Sequence, residues 1–344
     1  MNRMFALMAF RVCAPNGVPG INSSNEGLIL NQARLLEEIQ DGLAQYNENP
    51  DPLVEALSYL ITRDKVRIAQ APLGFGDHTE GAKAALQKVL FRSLLFPLRT
   101  FDAATGWTKI GLQDARPSDI MATTNAAMIG DAQKVNAQMA KAIFTPRTAG
   151  SAGNDSGYEA GFWNGETDVP DNAENPFYGN AHSHYKGTGS STFSSSMVED
   201  AVEDIVEHGY EGPFVALFNT AQMSDIRASL EASGTMVTPG RQSVIDQGVV
   251  NGFEWGGVQY RFKNWVPAGY FAVISLAVQA LGRREHELEE YRGLQIFQEN
   301  ENSTAPLIDS QWMRRIDFRV AHMGAGTVRQ ITPSGTYIPP VFKG

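Results

Sequence analysis

Residues 118–144 run without a proline and with a single glycine, Gly130, between Pro117 and Pro146. Met121, Met128, Val135 and Ala142 recur every seven residues, with Ala132 and Met139 between them. That spacing predicts one helix of about 27 residues, spanning about 40 Å at 1.5 Å per residue, far above the usual globular length. Pro117 blocks any earlier helix, Ser118 can cap the first turn, and Pro146 stops the last. Asn125, Asp131, Gln133, Lys134, Asn136 and Lys141 make the remainder polar, so only one narrow stripe is expected to be buried. Such an element is either a long amphipathic helix lying on a sheet or the strut of an extended, flat subunit.

The flanking sequence alternates between short strand patterns and breakers. Residues 1–24 read as an extended arm broken by Pro15, Gly17, Pro19 and Gly20. Helical spacing follows over Asn25–Tyr46, ended by the stretch Asn47–Pro52, with a shorter helix expected over Leu53–Ile61. Val66 and Ile68 alternate with Lys65 and Arg67, and Val89–Trp107 is strand-like again. Between them Pro72–Gly81 is glycine-rich and polar, so a projecting hairpin is expected. A long loop of this kind is usually functional or interfacial.

Residues 147–195 are turn-rich. Ser196-Met-Val-Glu199 reads as a capping box opening a helix that buries Met197, Ala201, Val202, Ile205 and Val206 and stops at Gly209. A buried strand over Phe214–Phe218 and a helix over Gln222–Ala232 come next. Residues 233–257 are glycine and polar. Strands are then expected at Val258–Phe262, Tyr270–Leu276 and Leu294–Phe297. The run Arg283–Glu290 reads as a solvated face or loop. Ile316, Phe318 and Val320 alternate with charges, and with Thr327–Ile331 they suggest a closing strand pair. The order is α+β rather than regular βαβ alternation.

Composition narrows the function classes. Hydrophobic residues are 42% and charged residues 19%, enough for a sizeable core and unlike a disordered chain. The single cysteine, Cys13, has no internal partner, which suits a reducing compartment. No stretch reaches the ~18 apolar residues of a spanning helix, and Met1–Val12 makes a poor signal peptide. A net charge of −10 argues against a free nucleic-acid binder. The 33 glycines and 17 prolines argue against a helical bundle.

Catalytic chemistry is hard to find. His182-Ser-His184 is the best metal candidate, because alternate residues of a strand point the same way and can share an ion. Glu159, Asp168 or His322 could supply a third ligand; the plainer reading is two loop histidines in ordinary hydrogen bonds. Gly150–Gly157 is glycine-rich but lacks the lysine of a phosphate-binding loop. Cys13 has no histidine nearby in sequence, so a catalytic thiol is not expected. Glu287, Glu289 and Glu290 fit a solvated charge run better than an acid–base pair. Arg314, Arg315 and Arg319 could touch phosphate, but such arginines more often hold a carboxylate such as Asp309 or Asp317. The expectation is of no catalytic residue, no cofactor and no metal.

A resemblance rests on four stretches in order. They are Phe96–Phe101 with Gly106–Thr108, followed by the long helix; Gly161–Glu166 leading to His182–Tyr185; Val206–Tyr210 followed by residues 214–219; and Ile316–Gly324 with Val328–Gln330 and Gly335–Pro340. Together they resemble a tailed-bacteriophage major capsid protein with the Hong Kong 97-type fold. The resemblance implies an N-terminal arm at 1–63 and an extended loop at 64–95. It implies a peripheral domain at 96–199 and 312–344 with its spine helix, and an axial domain at 200–311. It further implies pentamers and hexamers of one icosahedral head, portal, scaffold or decoration partners, weak contact with packaged double-stranded DNA, and no membrane. The chain would be a virion component assembled in the host cytoplasm, and not an enzyme.

Some relatives join lysine to asparagine between subunits. Lys65, Lys83 and Lys88 lie in the candidate loop, but no partner asparagine or catalytic glutamate can be matched. The chain opens at Met1, so no cleaved scaffolding segment is expected and any scaffold would be a separate protein. An encapsulin-like nanocompartment shell protein and a metal-dependent hydrolase using His182 and His184 are the two alternative readings.

Overall fold

The structure is a computed structural model that describes residues 32–69, 91–106, 115–146, 161–164, 182–232, 243–246, 249–298 and 309–342. The expected arm at 1–24, the helix start at 25–31, the excursion between the hairpin strands, Cys13, Lys83, Lys88, Glu159 and Asp168 lie outside the described residues. The elements divide into two compact units. The first comprises residues 1–55, 98–136 and 285–317; the second comprises 56–97, 137–284 and 318–344.

In the first unit, helix α1 (Gln32–Glu48) buries Ile39 and Leu43. Asp51 then caps helix α2 (Pro52–Leu57), its carboxylate accepting from the Leu53 amide at 2.9 Å, with Pro52 at the first helical position where its missing N–H costs nothing. The helix is shorter than expected. Its last predicted turn, Ser58–Ile61, is instead strand β1, because the β-favouring Tyr59 and Ile61 find a partner strand in the second unit's own sheet.

Strand β4 (Thr100–Gly106) pairs antiparallel with β13 (Asp309–Arg315), which pairs with β12 (Leu294–Gln298). The long helix, α3, runs Pro117–Phe144, one residue earlier than Ser118. Pro117 opens the helix rather than merely blocking it. The cap is Arg116, whose amide donates to the Asp119 carboxylate at 3.0 Å, the reach-back half of a capping box.

The buried stripe of α3 also departs from the heptad pattern. Ile120, Thr124, Met128, Asp131, Val135, Met139 and Ile143 are buried, while Met121 is only partly so. Thr124 can be inside because its hydroxyl donates to the Ile120 carbonyl at 3.1 Å. Asp131, expected on the polar face, is inside because Tyr46 donates to it at 2.9 Å and Arg314 pairs with it at 3.1 Å. Arg314 also lies 3.8 Å from Glu285, so its charge is shared between Asp131 and Glu285. Asp317 faces Arg99 at 3.5 Å. The apolar residues around this network are Ile39, Leu43, Ile120, Met128, Leu294 and Trp312.

The second unit is built on a seven-stranded sheet in the order β5-β15-β10-β6-β9-β8-β7. Its strands are β5 (Tyr185–Gly187), β6 (Phe214–Phe218), β7 (Ser243–Asp246), β8 (Val249–Trp255), β9 (Val258–Phe262), β10 (Tyr270–Ser275) and β15 (Gly326–Gln330). All five residues of β6 are buried, whereas β9 alternates buried and partly exposed as its sequence predicts. Strands β7 and β8 were not legible in residues 233–257. The turn joining β8 to β9 is Gly256-Gly257, both at positive φ (59° and 78°), the two-residue hairpin geometry that only glycine and a few polar residues accept.

Helix α4 (Ser196–Val206) buries Met197, Val198, Ala201, Asp204 and Ile205; Val206, expected inside, is exposed. The predicted capping box does not form. Ser195 holds the cap position and no side chain bonds the first turn. Helix α5 (Met223–Ala232) adds Ile226 and Leu230 to the same core.

Two smaller sheets complete this unit. Strand β2 (Lys65–Ala69) pairs antiparallel with β3 (Phe91–Leu95), so the expected hairpin stem is present. Strand β1 pairs in parallel with β11 (Leu281–Arg284), which neighbours β14 (Asp317–Val320). Arg284 and Glu285 are buried, so the front of the charged run is strand and only Glu287–Glu290 is exposed. β14 and β15 lie in different sheets, so the expected closing pair is two strands with different partners.

Burial holds the Asp131 carboxyl above its ordinary value of 3.8, Arg314 and Tyr46 pulling the other way and Glu285 adding to the rise. Between about 3.8 and the raised value, the folded state therefore keeps a proton that the unfolded chain has lost. Stability should fall as pH rises from about 3.8 through the raised value, and Asp131→Asn should flatten that slope in urea titrations of the subunit. Asp131→Ala should cost about 3–5 kcal/mol at neutral pH, since it strips Arg314 of its nearest counter-charge.

Candidate functional site

Two features of the second unit stand apart from the plain core. The first is the β2–β3 stem. Its register runs from Lys65 opposite Leu95 to Ala69 opposite Phe91, and the main chain closes at the base through Phe96 donating to the Asp64 carbonyl at 2.7 Å. Val66 and Leu94 face each other there, and Leu94 packs with Ile61, Phe96 and Ala321. Asp64 also accepts from Arg284 at 2.8 Å. The stem is therefore anchored in its own unit at one end and leads into residues 70–90 at the other.

The second feature is a cluster of histidines. The segment before β5 is drawn against residues 162–164 by an isolated bridge between Asn164 and Ser183, and His184 donates its amide to the Trp163 carbonyl at 2.8 Å. On its other side the His184 carbonyl accepts from the Val328 amide at 2.7 Å and from Thr327 Oγ1 at 2.9 Å. Its imidazole Nδ1 sits 2.6 Å from the Gly326 carbonyl, which fixes Nδ1 as the protonated nitrogen. His184 is wholly buried, and burial first, then the neighbouring imidazoles, lowers its pKa to about 3. At neutral pH it is an uncharged ring with a lone pair on Nε2.

His208 arrives from the far end of α4. The helix ends at Val206, and Gly209 at φ 76° turns the chain away in the left-handed conformation that glycine accepts. His208 then lies against Gly324, where an added Cβ would come within 3.0 Å of it. The ring centres of His182, His184 and His208 stand 5.1, 5.2 and 4.9 Å apart, and the Trp163 indole stacks on His208 at 4.7 Å. One ring nitrogen of each histidine lies within 4.8 Å of the others. Glu207 approaches His182 Nε2 at 3.8 Å.

Beside the cluster, Asp204 pairs with Arg329 and with Lys186 at 3.1 Å. Burial by itself would raise the Asp204 pKa, but the two cations outweigh it and hold the carboxylate below its usual range.

The third partner of the His182/His184 pair is thus His208, which sequence reading missed although Val206–Tyr210 had been singled out. His322, the described candidate, stands instead between Tyr59 and Tyr210, 6.3 Å from each ring. Arg319 is buried in β14, and Arg315 ends β13 opposite Thr100. Lys65 is exposed at the start of β2.

A second set of hydroxyls fastens the end of α3. Tyr185 donates to the Ile143 carbonyl at 2.9 Å and accepts from the Phe162 amide at 3.0 Å, while Tyr337 donates to the Phe144 carbonyl at 2.6 Å. These satisfy two of the carbonyls that a helix end leaves without an internal partner. Burial pushes both phenols well above their ordinary pKa. No described helix is long and apolar enough to cross a membrane.

No protein-family model and no curated protein matches the sequence. Solved structures do. A chain of Mycobacterium phage Patience is 23% identical, with a TM-score of 0.64 and 93% of each chain covered. The capsid of a native GTA particle is 15% identical, with a TM-score of 0.51 over 80% of this chain and 89% of that one. The holo-SrpI encapsulin of Synechococcus elongatus is 14% identical, with a TM-score of 0.51 over 84% and 91%. The mixed sheet and helix architecture, matched along nearly the whole length, is the Hong Kong 97-type fold of capsid proteins.

Proposed function

We propose that this chain is the major capsid protein of a tailed phage, a subunit that assembles with copies of itself into the icosahedral head. The observation that carries the reading is coverage: the likeness to the Mycobacterium phage Patience chain extends over 93% of each chain, so it is a likeness of the whole subunit and not of a single shared motif. A lone α+β core would leave the hairpin stem and the long helix without a purpose. A two-stranded hairpin is marginal by itself in water, and a neighbouring copy is the natural surface for it.

Within this reading, residues 1–63 serve as the arm and 64–95 as the extended loop. Residues 96–199 and 312–344 form the peripheral domain, and 200–311 the axial domain. The subunit works in the virion, with portal, scaffold or decoration proteins as partners, and its work is structural rather than catalytic.

The encapsulin likeness supports a second reading, a nanocompartment shell protein, at a lower TM-score of 0.51. Portal and terminase genes beside this one would favour the phage, and a cargo-enzyme gene the nanocompartment. The hydrolase reading of His182 and His184 has less support, because His184 is wholly buried.

Replacing Pro72–Lys88 with a short Gly-Ser linker should leave the β2–β3 stem and a cooperative melt intact while blocking or weakening shell formation. Circular dichroism reports the first and sedimentation of the co-expressed head proteins the second. Normal shells from that variant, or a lost melt, would remove the assembly role of the loop. The net charge of −10 gives the subunit no basic excess with which to displace counterions from DNA. The free subunit should therefore bind duplex DNA weakly and without sequence preference at physiological salt; nanomolar, specific binding in a filter assay would contradict the capsid reading.

A further inference from the structure

Three imidazoles from two distant stretches of chain meet in the second unit, and aromatic packing alone does not require their nitrogens to converge. In a tetrahedral site with metal–nitrogen bonds of about 2.0–2.1 Å, the centres of ligating imidazole rings stand roughly 5 Å apart. The observed separations are 5.1, 5.2 and 4.9 Å. The ligand atoms lie within 4.8 Å of one another, close enough for small side-chain rotations to bring them onto one ion.

A second observation points the same way. His184 is wholly buried and its Nε2 has no hydrogen-bond partner, a costly state for a polar atom that a ligand would relieve. Its Nδ1 is held by the Gly326 carbonyl at 2.6 Å, the outer hydrogen bond that orients metal-binding histidines. A carboxylate is also at hand. Glu207 faces His182, and His182, Asp204 and Glu207 form a second overlapping group within the same reach.

We propose that His182, His184 and His208 hold one divalent transition-metal ion, zinc being an ion that three imidazole donors in tetrahedral geometry suit. This departs from the sequence expectation of no metal, which weighed His182 and His184 without His208. The ion is structural: it ties the segment leading into β5 to the end of α4. It stabilises the folded subunit because ions bound only by the folded chain shift the unfolding equilibrium.

The test uses the full-length subunit stripped with a chelator and titrated with zinc chloride and, in parallel, with cobalt chloride. The expected result is one equivalent bound per chain, a raised melting temperature, and a tetrahedral cobalt spectrum. His208→Gln and His182→Asn should each weaken binding at least ten-fold and cancel the melting shift, whereas His286→Gln, in the other unit, should leave both unchanged. Two variants are used so that one failing to fold does not end the test. The absence of a saturable equivalent in the unaltered chain, an octahedral cobalt spectrum, or undiminished affinity in the folded variants would overturn the site. None of these outcomes depends on whether shells form.

Discussion

Strand β6 is buried along its whole length, and most of the second unit follows from that constraint. A strand with both faces inside needs hydrogen-bonded neighbours on both edges and apolar cover above and below. It pairs in parallel with β9 and antiparallel with β10, and their aromatic residues stack across the ladder. Phe218 lies 5.7 Å from Tyr260 and 5.0 Å from Phe271, and Tyr260 lies 4.8 Å from Phe253 on β8. Helices α4 and α5 cover this face with Met197, Val198, Ala201, Ile205, Ile226 and Leu230. Fixing α4 fixes its end, hence His208. Fixing β10 aligns β15, and β15 in turn holds the segment of His184 by its main chain.

The first unit relies on a different device. Its core includes a tyrosine, an aspartate and an arginine in direct contact, Tyr46, Asp131 and Arg314, from α1, α3 and β13. Apolar residues of the right size can pack in several registers, but a bonded polar triad satisfies its groups in only one. A long helix can slide or turn on an apolar surface, so a directional contact of this kind sets its rotation and its axial position against its neighbours.

What could be read from the sequence was what local pattern encodes. The apolar run of β6 and the alternation of Val258, Tyr260 and Phe262 are visible because period and burial coincide there, and α3 is visible because Pro117 and Pro146 bracket a stretch without proline. β7 and β8 were missed because Asn251, Gly252 and Glu254 interrupt any apolar pattern; their strands are defined by main-chain pairing, and Gly252 is needed where Tyr260 O approaches. The charged run was misread because Arg284 and Glu285 are inside, paired with Asp64 and Arg314, partners that no window along the chain contains. The Ser196 capping box is a pattern that the structure does not use. Of the histidine cluster only the i, i+2 pair could be seen, since His208 joins it through the folding of residues between 184 and 208.

The order of strands in the large sheet also bears on timing during synthesis. β15, at Gly326–Gln330, is an interior strand between β5 and β10, so a gap remains in the sheet until residue 330 has left the ribosome. Until then β10 presents an unpaired edge, and the His184 carbonyl and imidazole lack the main-chain partners that residues 326 and 328 bring. Exposed edges of this sort invite wrong pairing between nascent chains, and contacts spanning so much sequence form slowly. A chain built this way has its sheet completed only after translation of that strand, which keeps subunits still on the polysome from presenting a finished surface to one another.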